Sequence, residues 1–342
     1  MQDEFEEVTK KIRKMFNERG AKILEKAEAS IKDEKIECAE AKGALIHFIS
    51  YFRDVVRPSL LSLACEAVGG NPEATIQIGK SLVLLSGAFD VHDDIIDKTM
   101  YRGRETVVGK FGNDIALLAG DALIFKGLVE LFEGLEQLNL PTDKKLAIVR
   151  TIKEKYFELG DAEALELKFR GRTDVTSEEY LRMVRKKAAD VEAYMKVGAM
   201  LGGGRVREIQ ALGKYGRILG MLVILRDDVE DLLDFEVELP SRIKNESLPT
   251  PILYALENEE VKAGVTAVLR KGQINEGDAE ALISLISKAK GFERLWKFFD
   301  RLGTQAAHEV ENFDEKWKMA FKLILRAVVP PIPKDLVVRR CS

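Results

Sequence analysis

Aromatic side chains are scarce in this chain. Phe, Trp and Tyr make up 7% of its 342 residues, while Ala, Leu, Glu, Lys and Arg recur in long runs, a balance that favours helix over sheet. Histidine is scarcer still: His47, His92 and His308 stand apart without ligand spacing, which argues against zinc. The three cysteines, Cys38, Cys65 and Cys341, are odd in number and widely separated, so reduced thiols are expected, two buried and one on the tail. No excess of positive charge exists; the net charge of −4 gives no electrostatic case for nucleic acid. No apolar run reaches the ~18–20 residues needed to cross a bilayer, and the acidic opening Met1-Gln2-Asp3-Glu4 lacks the apolar core of a secretion signal. A soluble, cytoplasmic protein without a membrane span is expected. Alternating strand patterns and solenoid repeats are missing as well.

What is present is helical punctuation. Hydrophobic residues are 46% of the chain, ample for one large core, and a single all-α domain over 1–342 is expected, its helices packed around a central cavity. A charged amphipathic helix is predicted over 3–35 and a more apolar one over 45–67, interrupted mainly by Arg53, Asp54, Arg57 and Pro58, before the stop Gly69-Gly70-Asn71-Pro72. The next runs from about Ala74 to Asp97, and Phe111-Gly112 leads into another containing Gly120-Asp121-Ala122-Leu123. Leu140-Pro141 separates this from a helix beginning near Lys144. Thr176 with Glu179 reads as a capping box, Gly202-Gly203-Gly204 as a stop, and 208–234 as a further helix. A loop over 236–251 and three shorter helices are predicted to follow, then the tail Val329-Pro330-Pro331-Ile332-Pro333, which cannot be regular helix.

Two of these helices end in acid. In His92-Asp93-Asp94-Ile95-Ile96-Asp97, Asp93 and Asp97 stand one turn apart on one face, flanked by Asp90 and Asp94. Asp227-Asp228-Val229-Glu230-Asp231 repeats the arrangement after a second apolar run. One such cluster alone reads most simply as a solvated helix end. Two on apolar helices are costly to bury without counter-charge and suit Mg²⁺, which keeps waters and shares its shell with substrate phosphates. Arg102, Arg104, Lys186 and Lys187 could complete a diphosphate clamp, although most Lys and Arg serve solvation. Leu84, Ala88, Phe89, Leu118, Ala122 and Ile224 are candidates for an aliphatic lining, or are ordinary core. A metal-held diphosphate beside a greasy pocket implies an isoprenoid diphosphate, ionised by stabilising charge on the leaving group.

With these motifs in order, joined by Arg57-Pro58, Gly69-Gly70, Arg102-Gly103, Phe111-Gly112, Glu178-Glu179-Tyr180-Leu181 and Leu201-Gly202-Gly203, the chain resembles the trans-type polyprenyl diphosphate synthases over nearly its whole length. The resemblance implies the all-helical class I isoprenoid synthase fold, usually a homodimer. It assigns Asp93, Asp94, Asp97, Asp227, Asp228 and Asp231 to Mg²⁺ against an allylic diphosphate, and Lys187 to that diphosphate. The reaction implied is ionisation of the allylic C–O bond, addition to isopentenyl diphosphate and loss of a proton. Phe89 and Ala88 align with the floor of the product cavity and suggest a medium product of ~C15–C25, such as geranylgeranyl diphosphate.

The pattern breaks at the second substrate. A Gly-Lys-Arg-x-Arg-Pro element is expected where this chain has Arg53-Asp54-Val55-Val56-Arg57-Pro58. Ser86 stands where a histidine is usual, Tyr101-Arg102 replaces paired arginines, Val223-Ile224 replaces Phe-Gln, and Lys187-Ala188 replaces Lys-Thr. The later Gly-Lys-x-x-Gly-Asp loop is missing, with Arg242 and Lys244 as partial replacements. Three readings remain open: a synthase whose rearranged isopentenyl diphosphate site uses Arg53, Arg57, Arg102 and Arg104; a one-substrate enzyme, such as a terpene cyclase, working through the same Mg²⁺ cluster; and a non-catalytic subunit of a heteromeric synthase.

Overall fold

Prolines, glycines and capping side chains cut the chain into helices of very unequal length. The computed structural model describes residues 2–101, 103–271 and 274–329. Its first half holds α1 (Gln2–Lys32), α2 (Ala39–Tyr51), α3 (Val56–Ala67), α4 (Thr75–Asp97), α5 (Val107–Gln137) and α6 (Thr142–Phe169). There follow α7 (Ser177–Lys187), α8 (Ala189–Leu201), α9 (Val206–Leu233), α10 (Glu238–Asn245) and α11 (Thr250–Leu256). The last four are α12 (Lys262–Leu269), α13 (Glu276–Lys288), α14 (Gly291–Glu309) and α15 (Glu315–Val328). Among the described residues there is no strand, only a bridge between Tyr101 and Glu105. No described helix is long and apolar enough to cross a membrane.

Local chemistry accounts for the boundaries. The Thr176 hydroxyl accepts from Glu179 N at 3.2 Å while the Glu179 carboxylate accepts from Thr176 N at 2.9 Å, the reciprocal cap expected for α7. Helix α4 ends where Lys98 turns left-handed at φ 59°. The interruption expected near Arg53 and Asp54 within 45–67 is a full break, so that stretch belongs to two helices. Arg53 donates to the carbonyls of Ile49, Ser50 and Phe52 and closes α2, and Asp54 Oδ1 accepts from Val56 N and Arg57 N to open α3. Likewise the loop expected over 236–251 contains α10, nucleated where Asp234 Oδ1 accepts from Val237 N at 3.1 Å. Among the described residues five helices, not three, follow it. Cys65 is buried as expected, but Cys38 is exposed; Cys341 and the proline tail lie outside the described residues.

The chain's contacts gather into two compact units. One comprises residues 10–155 and 190–213. In it α4 lies along α5, α2 also packs on α5, and α3 packs on α4. The α4–α5 seam is set by Gly120, Gly127 and Gly134, seven residues apart on α5. A Cβ added there would stand 2.3 Å from His92 Nε2, 2.9 Å from Leu85 Cγ and 3.1 Å from Gln77 Cβ respectively. At the first of these the His92 ring would have to shift to admit even a methyl group. Leu61, Ile78, Leu82, Ala88 and Leu123 fill the core beside the seam, each large one contributing roughly 1.5–3 kcal/mol of burial.

The other unit comprises the described parts of 1–9, 156–189 and 214–342. Here α11 packs against α7, α12, α13 and α14, and α14 against α15. Every residue of α11 is buried. Tyr215 donates from its hydroxyl to Phe321 O at 2.7 Å, and the buried Arg217 pairs with Glu158 at 2.8 Å.

Candidate active site

In the first unit the carboxylates ride on the C-terminal turns of α4, which its own apolar run holds against α5. Asp94 and Asp97 are buried, and Asp93 Oδ1 is buried without a hydrogen-bond partner among the described residues. An orphaned carboxylate oxygen is costly, and a cation is the group that would relieve it. Among the described residues no three His, Cys, Asp or Glu side chains converge as a ready-made metal cage. That is compatible with Mg²⁺, which takes one or two carboxylates and completes its octahedron with water and phosphate. Beside Asp94 lies a small open hollow lined by Phe48, Tyr51, Phe52, Asp90, Arg104 and Thr106. The Arg104 guanidinium sits 4.2 Å over the Tyr51 ring and donates to Tyr51 O at 3.1 Å, which aims it at this hollow. Burial, with Asp94 nearby, pushes the Tyr51 phenol up to about 12.

The arginines assigned to a second diphosphate are otherwise engaged. Arg57 donates through Nε to Asp190 at 2.6 Å and through Nη1 to Asp54 at 2.8 Å. Arg53 points to Glu28 at 2.8 Å while it caps α2. Arg102 lies outside the described residues. Of the proposed lining, Ala88 is fully buried in packing, Leu84 lines a small apolar cavity with Phe48 and Phe52, and Phe89 and Ala122 are half-buried. Leu118 does not line a cavity: it is 58% exposed, on a face of α5 that α4 leaves uncovered.

In the second unit the motif lies near the end of α9. Asp228 is fully buried, and both of its oxygens are occupied. Oδ1 accepts from Tyr180 Oη at 2.7 Å and Arg242 Nη2 at 2.7 Å; Oδ2 accepts from Thr250 N at 3.0 Å and Thr250 Oγ1 at 2.6 Å. Arg242 also reaches Asp231 Oδ2 at 3.2 Å and donates to Ser247 O at 3.2 Å. Asp227 is half exposed and accepts from Arg226 at 2.8 Å. Burial raises the Asp227 carboxyl against the pull of Arg226; it pushes Asp231 up to about 7 despite Arg242. Ile224 is half-buried on the same helix.

Lys187 lies between Glu166 at 2.6 Å and Glu163 at 3.1 Å. Glu166 is itself buried and accepts from Ser247 Oγ at 2.6 Å. Burial opposes its charge, yet Lys187 and Arg242 pull its carboxyl down to about 2. Sequence reasoning passed over Glu163, Glu166, Asp190 and Thr250. The spacing of Glu163 and Glu166, one turn apart on α6, was the available signal.

Residues 42–286 match the model of the polyprenyl synthetase family. The short chain isoprenyl diphosphate synthase of Methanothermobacter thermautotrophicus is 33% identical over 271 residues, which cover 77% of this chain and 78% of that one. Component 2 of the heptaprenyl diphosphate synthase of Geobacillus stearothermophilus is 29% identical, with 85% and 89% covered. Among solved structures, the geranylgeranyl pyrophosphate synthetase of Pyrococcus horikoshii superposes with a TM-score of 0.83 at 27% identity, covering 96% of this chain and 99% of that one. That likeness extends to the all-helical isoprenoid synthase fold. The chain belongs to the polyprenyl synthetase family and is a prenyltransferase of that kind.

Proposed function

We propose that the protein elongates an allylic prenyl diphosphate with isopentenyl diphosphate in a Mg²⁺-dependent reaction, giving a medium product of the geranylgeranyl class. Asp93, Asp94, Asp97, Asp227 and Asp231 are assigned to the metal, and Lys187 and Arg104 to phosphate oxygens. The observation that carries this reading is Asp93: a buried carboxylate oxygen one turn from Asp97, with no partner among the described residues, is costly unless a cation meets it. When bound, Mg²⁺ would neutralise charge on the departing diphosphate. The chain's own part is to hold the carboxylates in place, to present Arg104 beside Tyr51, and to keep water from the allylic carbon with the aromatic walls of Phe48 and Phe52. Phe89, half-buried one turn before Asp93, and Ala88 are the residues proposed to limit chain length. A homodimer is proposed too, supported by the uncovered apolar face of α5: Leu118, Phe125, Val129 and Phe132 are 48–72% exposed. Since one relative is named as component 2 of its synthase, a different second chain is the other occupant to test for.

The engagement of Arg57 by Asp54 and Asp190 favours a second reading, in which the allylic diphosphate is ionised in the same way but the acceptor carries no diphosphate. Incubation with Mg²⁺, geranyl or farnesyl diphosphate and labelled isopentenyl diphosphate separates the two. Labelled, longer diphosphates are expected; unlabelled hydrocarbon or alcohol would establish the second reading, and no turnover of any allylic diphosphate would remove both.

A further inference from the structure

The network around Asp228 gives the second acidic motif a division of labour. We infer that Asp228 is not a metal ligand but the buried anchor of the motif, and that Arg242 is the positioning residue that holds Asp228 and Asp231 in register with Lys187. The inference rests on the proposed Mg²⁺ reading above.

A carboxylate has about four lone-pair sites. At Asp228 four donors meet them, from three separate elements: Tyr180 of α7, Arg242 of α10, and Thr250 of α11 through its backbone and its hydroxyl. The side chain is wholly buried, so a cation could reach it only by displacing at least one of these donors. Asp227, one residue before, is half exposed, and Asp231 stands one turn beyond it on the same face. These two are the pair available to a cation.

Arg242 is placed to set that pair. Its Nη2 serves Asp228 and its Nη1 serves Asp231 and Glu246, so the planar fork spans consecutive turns of α9. Its Nε bonds Ser247 O, and the hydroxyl of the same serine donates to Glu166, the partner of Lys187. One connected chain of hydrogen bonds therefore runs from Lys187 through Glu166, Ser247 and Arg242 to Asp228 and Asp231. A point charge such as lysine could neutralise one carboxylate here but could not hold two at a fixed separation.

The test is a Mn²⁺ titration followed by electron paramagnetic resonance, with inorganic diphosphate as the anion, on the full chain and on Asp227→Asn, Asp228→Asn, Arg242→Lys, Arg242→Met and Thr250→Val. Thermal melts and the KM–kcat split for the allylic diphosphate are measured alongside. Asp227→Asn is expected to bind one Mn²⁺ fewer. Asp228→Asn and Thr250→Val are expected to keep the full number with affinity weakened roughly three- to tenfold. Arg242→Met should raise the half-saturating metal concentration and the KM at least tenfold while kcat at saturation changes less, and Arg242→Lys should recover part of that loss. If Arg242→Met does not fold, Thr250→Val carries the test. Loss of one Mn²⁺ in Asp228→Asn overturns the anchor role. Unchanged metal affinity and KM in both Arg242→Lys and Thr250→Val, with only the melting temperature lowered, overturns the positioning role. A wild-type chain that binds no Mn²⁺ with diphosphate sinks the metal reading itself, a result distinct from either.

Discussion

The acidic turns of α4 and α9 look alike as sequence and differ as chemistry. On α4, Asp93 keeps a buried oxygen that no described residue satisfies, so the helix carries an electrostatic demand. On α9, Asp228 is met at every lone pair, and the demand has been answered by Tyr180, Arg242 and Thr250. Two motifs of the same spacing thus present a carboxylate with an unpartnered oxygen at the first aspartate of one, and a carboxylate that organises its neighbours at the second aspartate of the other. Which role falls to an aspartate is decided by the donors that other elements bring to it.

The sharpest way to break this contrast is to delete one carboxylate from each side. Asp93→Ala should lower kcat by about a thousandfold or more while leaving the melting temperature equal or slightly higher, because it removes an unpaired buried atom that costs about 1–3 kcal/mol. Asp228→Ala should destabilise the fold by about 3–5 kcal/mol, since it removes the shared acceptor of Tyr180, Thr250 and the Nη2 of the buried Arg242. Denaturant titrations of both variants check this; a stable Asp228→Ala would erase the distinction.

Acid probes the answered side next. Glu166 has its carboxyl held near 2, below the ordinary 4.5, by Lys187 and Arg242. Its contribution to stability is therefore full above about 4.5 and is lost as the pH falls from there towards 2. Roughly 3 kcal/mol of it is expected from a shift of this size. Glu166→Gln should flatten the acid limb of the stability–pH curve between these values, measured by denaturant midpoints.

A smaller effect is expected at Arg57. Asp54→Ala would leave that guanidinium to Asp190 alone and make it partly available to an incoming anion. The KM for isopentenyl diphosphate should fall about tenfold, a gain near the low end of one charge-assisted hydrogen bond, with the KM for the allylic diphosphate unchanged. Steady-state kinetics with each substrate varied in turn decides it. An unchanged isopentenyl KM would favour an acceptor of another kind.

Much of this fold can be read from residue pattern. The limits of α4 and α9 and the cap of α7 follow from apolar runs, a glycine stop and the Thr176–Glu179 pair. The failures have physical causes. Helix α11 is buried on all sides, so it carries no period by which to recognise it. The break between α2 and α3 depends on Arg53 turning back to its own carbonyls, a contact composition does not encode. At the site, the acids and Lys187 were visible as residue types. The engagement of Arg57 by Asp190, a residue 133 positions away, and the closing of Asp228 by three other helices were not, because they exist only once the chain has folded.

The glycine stripe of α5 has one more implication. Gly120 lies directly under His92, the immediate neighbour of Asp93. A single methyl at that spot would push the His92 ring aside, disturbing the side chain next to the first acids although none of them had been altered. The surroundings of that acidic turn are thus set in part from behind, by a position whose side chain is a single hydrogen.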